Sequence, residues 1–236
     1  NTDQLLGAFF QPIMFLVLFS AVFGGAISLS LPEGVTYLSF LMAGIIVQTV
    51  AFGSTTTALA ITNDLQKGIV DRFRSLPMSN LAVLNGHVVS DLFRNTISTV
   101  VMLLAGLVLG FRSSASLIDW IAITGILVLF TLAFSWLMAI MGVLAKSVEG
   151  VQWMSFIIIF PLTFASSAFV PTDGMNKYLK AFAENQPISQ VIEAVRALML
   201  GTPIGNHGWL AVFWCLFLLV IAVPIALLLF KRKTTN

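Results

Sequence analysis

The sequence predicts an all-α integral membrane protein with six transmembrane helices. Of its 236 residues, 58% are hydrophobic and only 9% are charged, and the mean hydropathy of +0.98 lies far outside the range of soluble domains. Six apolar runs approach or exceed the roughly 17–25 residues that a spanning helix requires. These runs are about Leu5–Ile27, Leu38–Ile61, Val88–Leu109, Trp120–Leu144, Val151–Phe169 and Trp209–Phe230.

The distribution of lysine and arginine predicts the orientation, because six spans place both termini on one side of the membrane. Eight basic residues lie on that side and four on the other, so the positive-inside rule puts both termini in the cytoplasm. The first set is Lys67, Arg72, Arg74, Arg94, Lys146, Lys231, Arg232 and Lys233, and the second is Arg112, Lys177, Lys180 and Arg196. A net charge of only +2 gives no bulk field that would attract nucleic acid, so membrane lipids are the expected surroundings.

The first two spans carry features that interrupt a plain apolar helix. Pro12 should either kink the first span or mark its true start. The second span ends in a polar set, Gln48 and then Ser54 to Thr57. Polar residues at membrane depth either pack helix against helix or form a polar wall of a substrate path, and the sequence leaves both interpretations open.

The segment 63–94 lies between two spans and is rich in charged residues, so it must face water. Within it Ile69, Phe73 and Leu76 recur at i, i+4 and i+7, which predicts a short amphipathic helix closed by Pro77. Its apolar face would lie either on the membrane interface or in a partner protein.

The remaining spans carry few ionisable side chains and no motif for nucleotide or metal binding. Asp91, Arg94 and Asp119 fall near predicted span ends, and the absence of a mid-span ionisable group argues against proton-coupled transport. Neither GxxxxGK[ST] nor GxGxxG occurs, and Cys215 is the single cysteine, which predicts a packing residue. We therefore expect no catalytic residue, metal site or cofactor on this chain.

Residues 170–208 contain two short amphipathic patterns, neither long enough to span. The second begins at Pro187 and stops before Gly201. Together they predict a re-entrant or amphipathic hairpin on the extracytoplasmic side, between spans 5 and 6. Glu193 and Arg196, three residues apart, are interpreted as a surface pair.

The order of these features resembles the permease subunit of an ABC-2 type exporter, and closely resembles the daunorubicin-resistance-type drug-efflux permeases. Four stretches carry the resemblance: QPIMFLVLFSAVFGGAI at 11–27, FLMAGIIVQTVAFGS at 40–54, NDLQKGIVDRFRSLPMS at 63–79 and NQPISQVIEAVRALMLG at 185–201. The third is the most specific. It matches the family pattern at Asp64, Gly68, Arg72, Arg74, Pro77 and Ser79.

The resemblance implies that residues 1–236 form one permease domain of a multi-pass protein of the bacterial plasma membrane. The amphipathic loop would be a cytoplasmic coupling helix between spans 2 and 3 that docks on a separate ATPase subunit, present in two copies with ATP and Mg²⁺ bound there. A second permease, identical or closely homologous, would complete the complex. The docking residues are Lys67, Gly68, Ile69, Asp71, Arg72, Phe73, Arg74, Leu76 and Pro77. The family also has an N-terminal amphipathic helix before the first span, which we expect to be missing from the sequence given.

The resemblance further places a substrate path near the first, second and fifth spans, where aromatic residues are frequent. They would suit planar drugs or lipid tails, unless they face lipid or pack between helices. The candidates are Phe15, Phe19, Phe23, Gln48, Phe52, Thr55, Phe156, Phe160 and Phe164. An exporter of a glycolipid, polyketide lipid or undecaprenyl-linked polymer is the alternative, and a channel, an ion-coupled transporter or a membrane-embedded enzyme are remote ones.

Small residues predict where two permeases would meet. Gly24 and Gly25 in the first span, and Ser166, Ser167 and Ala168 at the end of the fifth, would allow close approach of helices from two bundles. The competing interpretation is ordinary packing within one bundle.

Overall fold

The computed structural model describes residues 2–32, 34–67 and 80–235, and these residues form nine α-helices. The helices are α1 Thr2–Ile27, α2 Tyr37–Gly53, α3 Thr55–Gln66, α4 Asn80–Val108, α5 Leu117–Leu144, α6 Val148–Phe164, α7 Lys177–Asn185, α8 Pro187–Leu200 and α9 His207–Thr235. Short 3₁₀ turns occupy Ser28–Ser30 and Thr172–Gly174.

The expected all-α, multi-span architecture is confirmed. Five helical segments in the described ranges are long and apolar enough to cross a membrane, namely Phe10–Ser30, Tyr37–Gln66, Leu81–Val108, Leu117–Leu144 and His207–Lys233. The remaining predicted span is α6, which has only 17 residues. It is shorter than predicted because the chain turns after Phe164, and the predicted tail of the span folds inward instead.

The second span is a broken helix at the centre of the bundle. α2 ends at Gly53 and α3 begins at Thr55, with Ser54 between them in a helical conformation. The Ser54 hydroxyl donates to the Val50 carbonyl at 3.0 Å, which keeps this polar side chain satisfied inside the protein. α2 is almost entirely buried and packs against α1, α4 and α8, whereas α3 packs against α5 and α6.

The first span lies at the edge of the bundle. α1 packs on α2 and α4, and only 6% of its apolar stretch is buried. The helix extends on both sides of Pro12, so Pro12 does not mark its start. Of the two alternatives for Pro12, a kink or the start of the span, the second is therefore excluded, and proline is tolerated within a transmembrane helix when neighbouring groups satisfy the freed carbonyl.

The small residues after α6 face the interior of this bundle, so the expectation that they form a seam with a second permease is wrong. Ser166, Ser167 and Ala168 are buried, and an ideal Cβ on Gly44 of α2 would lie 2.2 Å from the Ala168 carbonyl oxygen. The absence of a side chain at Gly44 is what allows the two backbones to approach. Gly24 and Gly25 of α1, by contrast, have open space where a Cβ would point.

The two amphipathic patterns near the C-terminal end of the chain form α7 and α8, as predicted. α8 has Pro187 in its first turn and ends at Gly201, whose φ of +68° is the left-handed conformation that favours glycine. α8 packs against α2, α5 and α9, and most of its apolar residues are buried, so it lies within the bundle.

Arg196 of α8 is buried, so its interpretation as one half of a surface pair is wrong. Its Nε donates to the Phe40 carbonyl at 3.1 Å and its Nη2 to the Ser167 carbonyl at 2.6 Å. Its guanidinium lies 3.7 Å from the centre of the Phe40 ring, while Glu193 pairs with it from the same helix. The residue therefore joins α8 to α2 and to the segment that follows α6.

Candidate functional site: a membrane cavity with one aromatic and one polar wall

A cavity of about 1060 Å³ lies beside α2. Its lining residues come from α1, α2, α3, α4 and α6, and therefore from four of the six predicted spans. α1 packs on α2 and α4, while α6 packs on α3, so these two helices enter the lining from different parts of the bundle. The volume is at the upper end of the roughly 300–1,000 Å³ typical of sites for drug-sized ligands.

One wall of the cavity is aromatic. Phe156, Phe160 and Phe164 recur every four residues on α6, so their rings lie one above another on one helix face. Neighbouring ring centres in this row are 4.8 and 4.2 Å apart, which is stacking distance, and more than a third of each side chain is exposed. Phe15 of α1 and Phe52 of α2 also line the cavity.

The aromatic row continues beyond the cavity into α1. Phe164 contacts Phe169 at 4.7 Å between ring centres, and Phe169 stacks on Phe19 at 4.8 Å. Phe19 contacts Phe23 at 5.4 Å. The structure thus brings seven of the nine predicted path residues into the cavity lining and places Phe19 and Phe23 in the adjoining row. The seven are Phe15, Gln48, Phe52, Thr55, Phe156, Phe160 and Phe164. Their role in transport remains a prediction.

The other wall is polar and comes mainly from the break between α2 and α3 and from α4. Its members are uncharged hydroxyl and amide side chains together with one arginine. They are Gln48, Thr49, Thr55, Thr56, Asn63, Arg94, Asn95 and Ser98, with Gln152 and Ser155 from α6. The cavity lining therefore combines a row of stacked rings with hydrogen-bonding groups.

Behind the polar wall lies a buried carboxylate that sequence reasoning placed wrongly near a span end. Asp91 is fully buried. Its Oδ1 accepts hydrogen bonds from the Thr56 hydroxyl at 2.9 Å and from Arg94 Nη2 at 3.2 Å, and its Oδ2 accepts from the Ser135 hydroxyl. The misplacement arose because α4 begins at Asn80, well before the predicted start of the span, which moves Asp91 into the helix interior.

A sequence signal for this buried polar stripe was nevertheless present. Asp91, Asn95 and Ser98 recur at spacings of four and three, which places them on one face of α4, and all three are buried. Hydropathy averaging conceals such a stripe, since the apolar residues on the other faces of α4 dominate the mean.

The predicted ATPase-docking residues fall almost entirely outside the described residues. Lys67 is exposed and forms the C-terminal cap of α3, and the rest of the docking set, Gly68 to Pro77, is not described. Next to Lys67, Gln66 Nε2 donates to the Lys146 carbonyl at 2.8 Å, so the end of α3 is held to the loop between α5 and α6. The helix whose other end meets the cavity at Thr55 therefore leads directly into the predicted docking segment.

The two histidines have separate side-chain partners, and the cysteine is free. His87 Nε2 lies 3.0 Å from Asp64, and His207 Nδ1 lies 2.8 Å from the Gln190 side-chain oxygen. Cys215 is buried in the core, as expected of a packing residue. Within the ranges that the structure describes, no group of three or more His, Cys, Asp or Glu side chains is arranged to hold a metal ion.

Comparison with known proteins identifies relatives along nearly the whole chain. Residues 1–200 match the family described as ABC-2 type transporter. The chain is 32% identical over 241 aligned residues to a daunorubicin resistance ABC transporter permease protein of Streptomyces coeruleorubidus, covering 99% of this chain and 81% of the relative. It is 30% identical to a probable doxorubicin resistance ABC transporter permease protein of Mycobacterium tuberculosis, covering 98% of this chain and 83% of the relative. A putative transport permease of Cyanophora paradoxa is 29% identical over 82% of this chain and 67% of its own length.

Proposed function

This chain belongs to the ABC-2 type transporter family, and from that premise we propose that it exports hydrophobic, drug-like compounds as the transmembrane subunit of an ATP-driven complex. Permeases of this family work with an ABC ATPase subunit and are not themselves catalytic, and this chain is a multi-pass membrane protein. The resistance functions in the names of two relatives support drugs as the cargo.

The observation that carries the proposal is the cavity with its stacked phenylalanines. A planar apolar molecule would gain stacking contact with Phe156, Phe160 and Phe164, and its polar substituents would face the hydroxyl and amide groups of α3 and α4. A flexible acyl chain gains less from a row of stacked rings than a planar ring system does. This favours drug-like compounds over the lipid-linked alternatives.

Transport would be driven through the segment between α3 and α4. We place ATP and Mg²⁺ on the separate ATPase subunit, and the docking residues Lys67 to Pro77 on its surface. Closure of the ATPase pair would move this segment and, with it, α3, whose first residue lies at the cavity. A cargo that binds one orientation of the helices more tightly would then be carried by the change between orientations.

The complete transporter would contain two permeases and two ATPase subunits in a bacterial plasma membrane, with both permease termini in the cytoplasm. One bundle supplies one cavity and one docking segment. Composite ATP sites need two ATPase subunits, and therefore two docking segments.

Inside-out membrane vesicles that contain the permease with its ATPase subunit test the proposal. ATP should drive uptake of doxorubicin, and Phe160→Ala should reduce the uptake several-fold, because the middle ring of the stacked row is lost. Phe93→Ala is the matched control, since Phe93 is 69% exposed on α4 and does not line the cavity. Equal loss of doxorubicin uptake in the Phe160→Ala and Phe93→Ala variants would contradict the role of the aromatic wall. Uptake of lipid-linked sugars without uptake of doxorubicin would establish the alternative cargo.

A further inference from the structure

The aromatic row of α6 continues toward the start of that helix as a glutamine. Gln152 lies four residues before Phe156, and Phe160 and Phe164 follow at the same spacing, so these side chains share one helix face. Four residues of α-helix span ~6 Å, which places Gln152 one step beyond Phe156 along the wall. Gln152 is exposed and lines the cavity. The stacked rings therefore end, on this side, at an accessible amide.

A second amide, Asn63 of α3, lies at the same end of the cavity. α3 packs on α6, and Gln66 Nε2 of α3 donates to the Lys146 carbonyl at 2.8 Å, two residues before α6 begins. Asn63 is one turn before Gln66, and Gln152 is one turn into α6. Both residues line the cavity. The two amides are therefore at similar depth on neighbouring helices, each one turn from the same junction.

Both amides are open to the cavity. Gln152 is exposed and Asn63 is half-buried. Among the described residues neither side chain has a hydrogen-bond partner, and neither holds a polar atom that is shielded from solvent. An amide has two N–H donors and an oxygen acceptor, so the pair presents both kinds of group to a ligand.

The charged part of the cavity wall lies at a different depth. Arg94 is the only charged side chain among the described lining residues, and it pairs with Asp91. Asp91 accepts from the Thr56 hydroxyl at 2.9 Å. Thr56 is seven residues before Asn63 on α3, a separation of ~10 Å along the helix. Neutral amides set apart from the ion pair suit an uncharged hydroxyl, which both donates and accepts, better than a carboxylate or an ammonium group.

From these positions, and on the premise of the proposed export function, we propose that Gln152 and Asn63 bind a hydroxyl group carried by a planar, apolar cargo. The planar body stacks along Phe156 and Phe160, and the hydroxyl faces the end of the cavity next to the loop between α5 and α6. Cargo is thereby selected for a hydroxyl-bearing substituent as well as for a planar ring system. It is also held in one orientation along α6.

9-Anthracenemethanol and 9-methylanthracene are a matched pair of probes, because they have the same fused rings and differ only in the hydroxyl. Binding is measured by equilibrium dialysis of each radiolabelled probe with the permease and its ATPase subunit in nanodiscs, and partition into empty nanodiscs is subtracted. The unmodified protein should bind 9-anthracenemethanol about tenfold more tightly than 9-methylanthracene. Tenfold corresponds to ~1.4 kcal/mol, which two net hydrogen bonds supply.

Two substitutions remove the amides and leave the aromatic row intact. Gln152→Met and Asn63→Leu each introduce an apolar group of similar size. Each should weaken binding of 9-anthracenemethanol about threefold, the share of one of the two hydrogen bonds, and the double variant should bind both probes equally. Unchanged binding of 9-methylanthracene shows that each variant is folded. Thr96→Val is the control, because Thr96 lies outside this cavity and its hydroxyl already donates to the Leu92 carbonyl.

The possible outcomes separate this subsite from the export function. Equal binding of both probes by the unmodified protein, or an undiminished preference in the double variant, would overturn the subsite while leaving doxorubicin uptake intact. A loss confined to one of the single variants would overturn the pairing of the two amides. Tighter binding of 9-anthracenecarboxylate or 9-(aminomethyl)anthracene than of 9-anthracenemethanol would overturn the choice of an uncharged group. Absence of binding by all four probes would refute the subsite together with the proposed role of the cavity.

Discussion

Asp91 shows how one side chain organises the interior of this bundle. A buried carboxylate is tolerated only when it is paired and hydrogen-bonded. Asp91 meets this condition through Thr56 of α3, Arg94 of α4 and Ser135 of α5. The carboxylate therefore holds three helices in register directly behind the cavity wall, and ionisable groups at this depth are functional candidates by default.

We predict that Asp91→Leu destabilises the protein by ~1–3 kcal/mol, because it leaves the buried Ser135 hydroxyl without an acceptor and removes the partner of the half-buried Arg94. Thermal unfolding of the purified permease in detergent measures the effect. Asp173→Leu is the control, since the Asp173 side chain is 87% exposed and its pairing with Lys180 at the surface contributes little to stability. Similar melting temperatures for the two variants would contradict a structural role for the Asp91 network.

At the scale of single elements, α3 is the most direct route between the cavity and the predicted docking segment. It begins at Thr55 in the polar wall and ends at Gln66, one residue before Lys67. Thr62 on the same helix donates to the Gly142 carbonyl of α5 at 2.7 Å. An ideal Cβ on Gly142 would lie 2.6 Å from the Ala58 carbonyl oxygen, so the backbones of α3 and α5 are in close contact. Motion of α3 must therefore involve α5 as well.

We predict that Phe73→Ala and Arg72→Glu leave the permease in the membrane but abolish its coupling to the ATPase. Loss of a large aromatic anchor typically costs a few kcal/mol at a buried interface. Co-purification of the ATPase subunit and ATP-dependent transport are the measurements. Phe182→Ala is the control, because Phe182 is a half-exposed ring on α7. Wild-type yield of the ATPase subunit and normal transport in both docking variants would rule out this docking surface.

Hydropathy and helix-ending residues predicted most elements but not the depth at which their polar residues lie. The C-terminal end of α5 at Leu144 and both ends of α8 follow from the pattern, because apolar runs and Pro and Gly act locally. The burial of Asp91 and Arg196 was missed because it depends on partners from other helices, such as Ser135 and Phe40. The cavity contains most of the predicted aromatic residues, but its polar wall emerges only when α3 and α4 are packed together.

At the scale of the whole molecule, hydrogen bonds join the described loops into two groups. The Lys67 end of α3 is joined to the loop between α5 and α6, and Lys233 donates to the Ala145 carbonyl at 3.2 Å in that same loop. The segment before α5 is joined instead to the end of α8, through the bond from Ser113 to the Met199 carbonyl at 2.8 Å. The loops that are joined to one another here are the same loops that the positive-inside rule assigns to one side of the membrane.

We predict that the α7–α8 end faces outward. In a Cys215→Ser background, cysteines at Asn176 and Asn206, which are both exposed, should react with an impermeant reagent added to intact cells. A cysteine at exposed Lys146 should react only after the cells are opened. The reverse pattern would invert the topology and place the docking segment on the wrong side for an ATPase.

The position of α1 bears on the predicted pairing of two permeases. α1 borders the cavity yet presents most of its apolar surface outward, including Met14, Leu18 and Val22. Gly24 and Gly25 have open space beside them, so a second helix could approach closely there. Because Ser166 to Ala168 face inward, α1 is the remaining part of the predicted seam.

We predict that the working complex contains two permeases that meet along α1. In a Cys215→Ser background, a cysteine at Gly25 should form a cross-linked permease pair, whereas one at Ser167 should not, because Ser167 is buried within its own bundle. The mass of the intact complex in detergent should correspond to two permeases and two ATPase subunits. A transport-competent complex with a single permease would refute the pairing itself. Failure of the Gly25 cross-link in a complex of two permeases would refute only the α1 seam, because the second docking segment would still be present to seat the second ATPase.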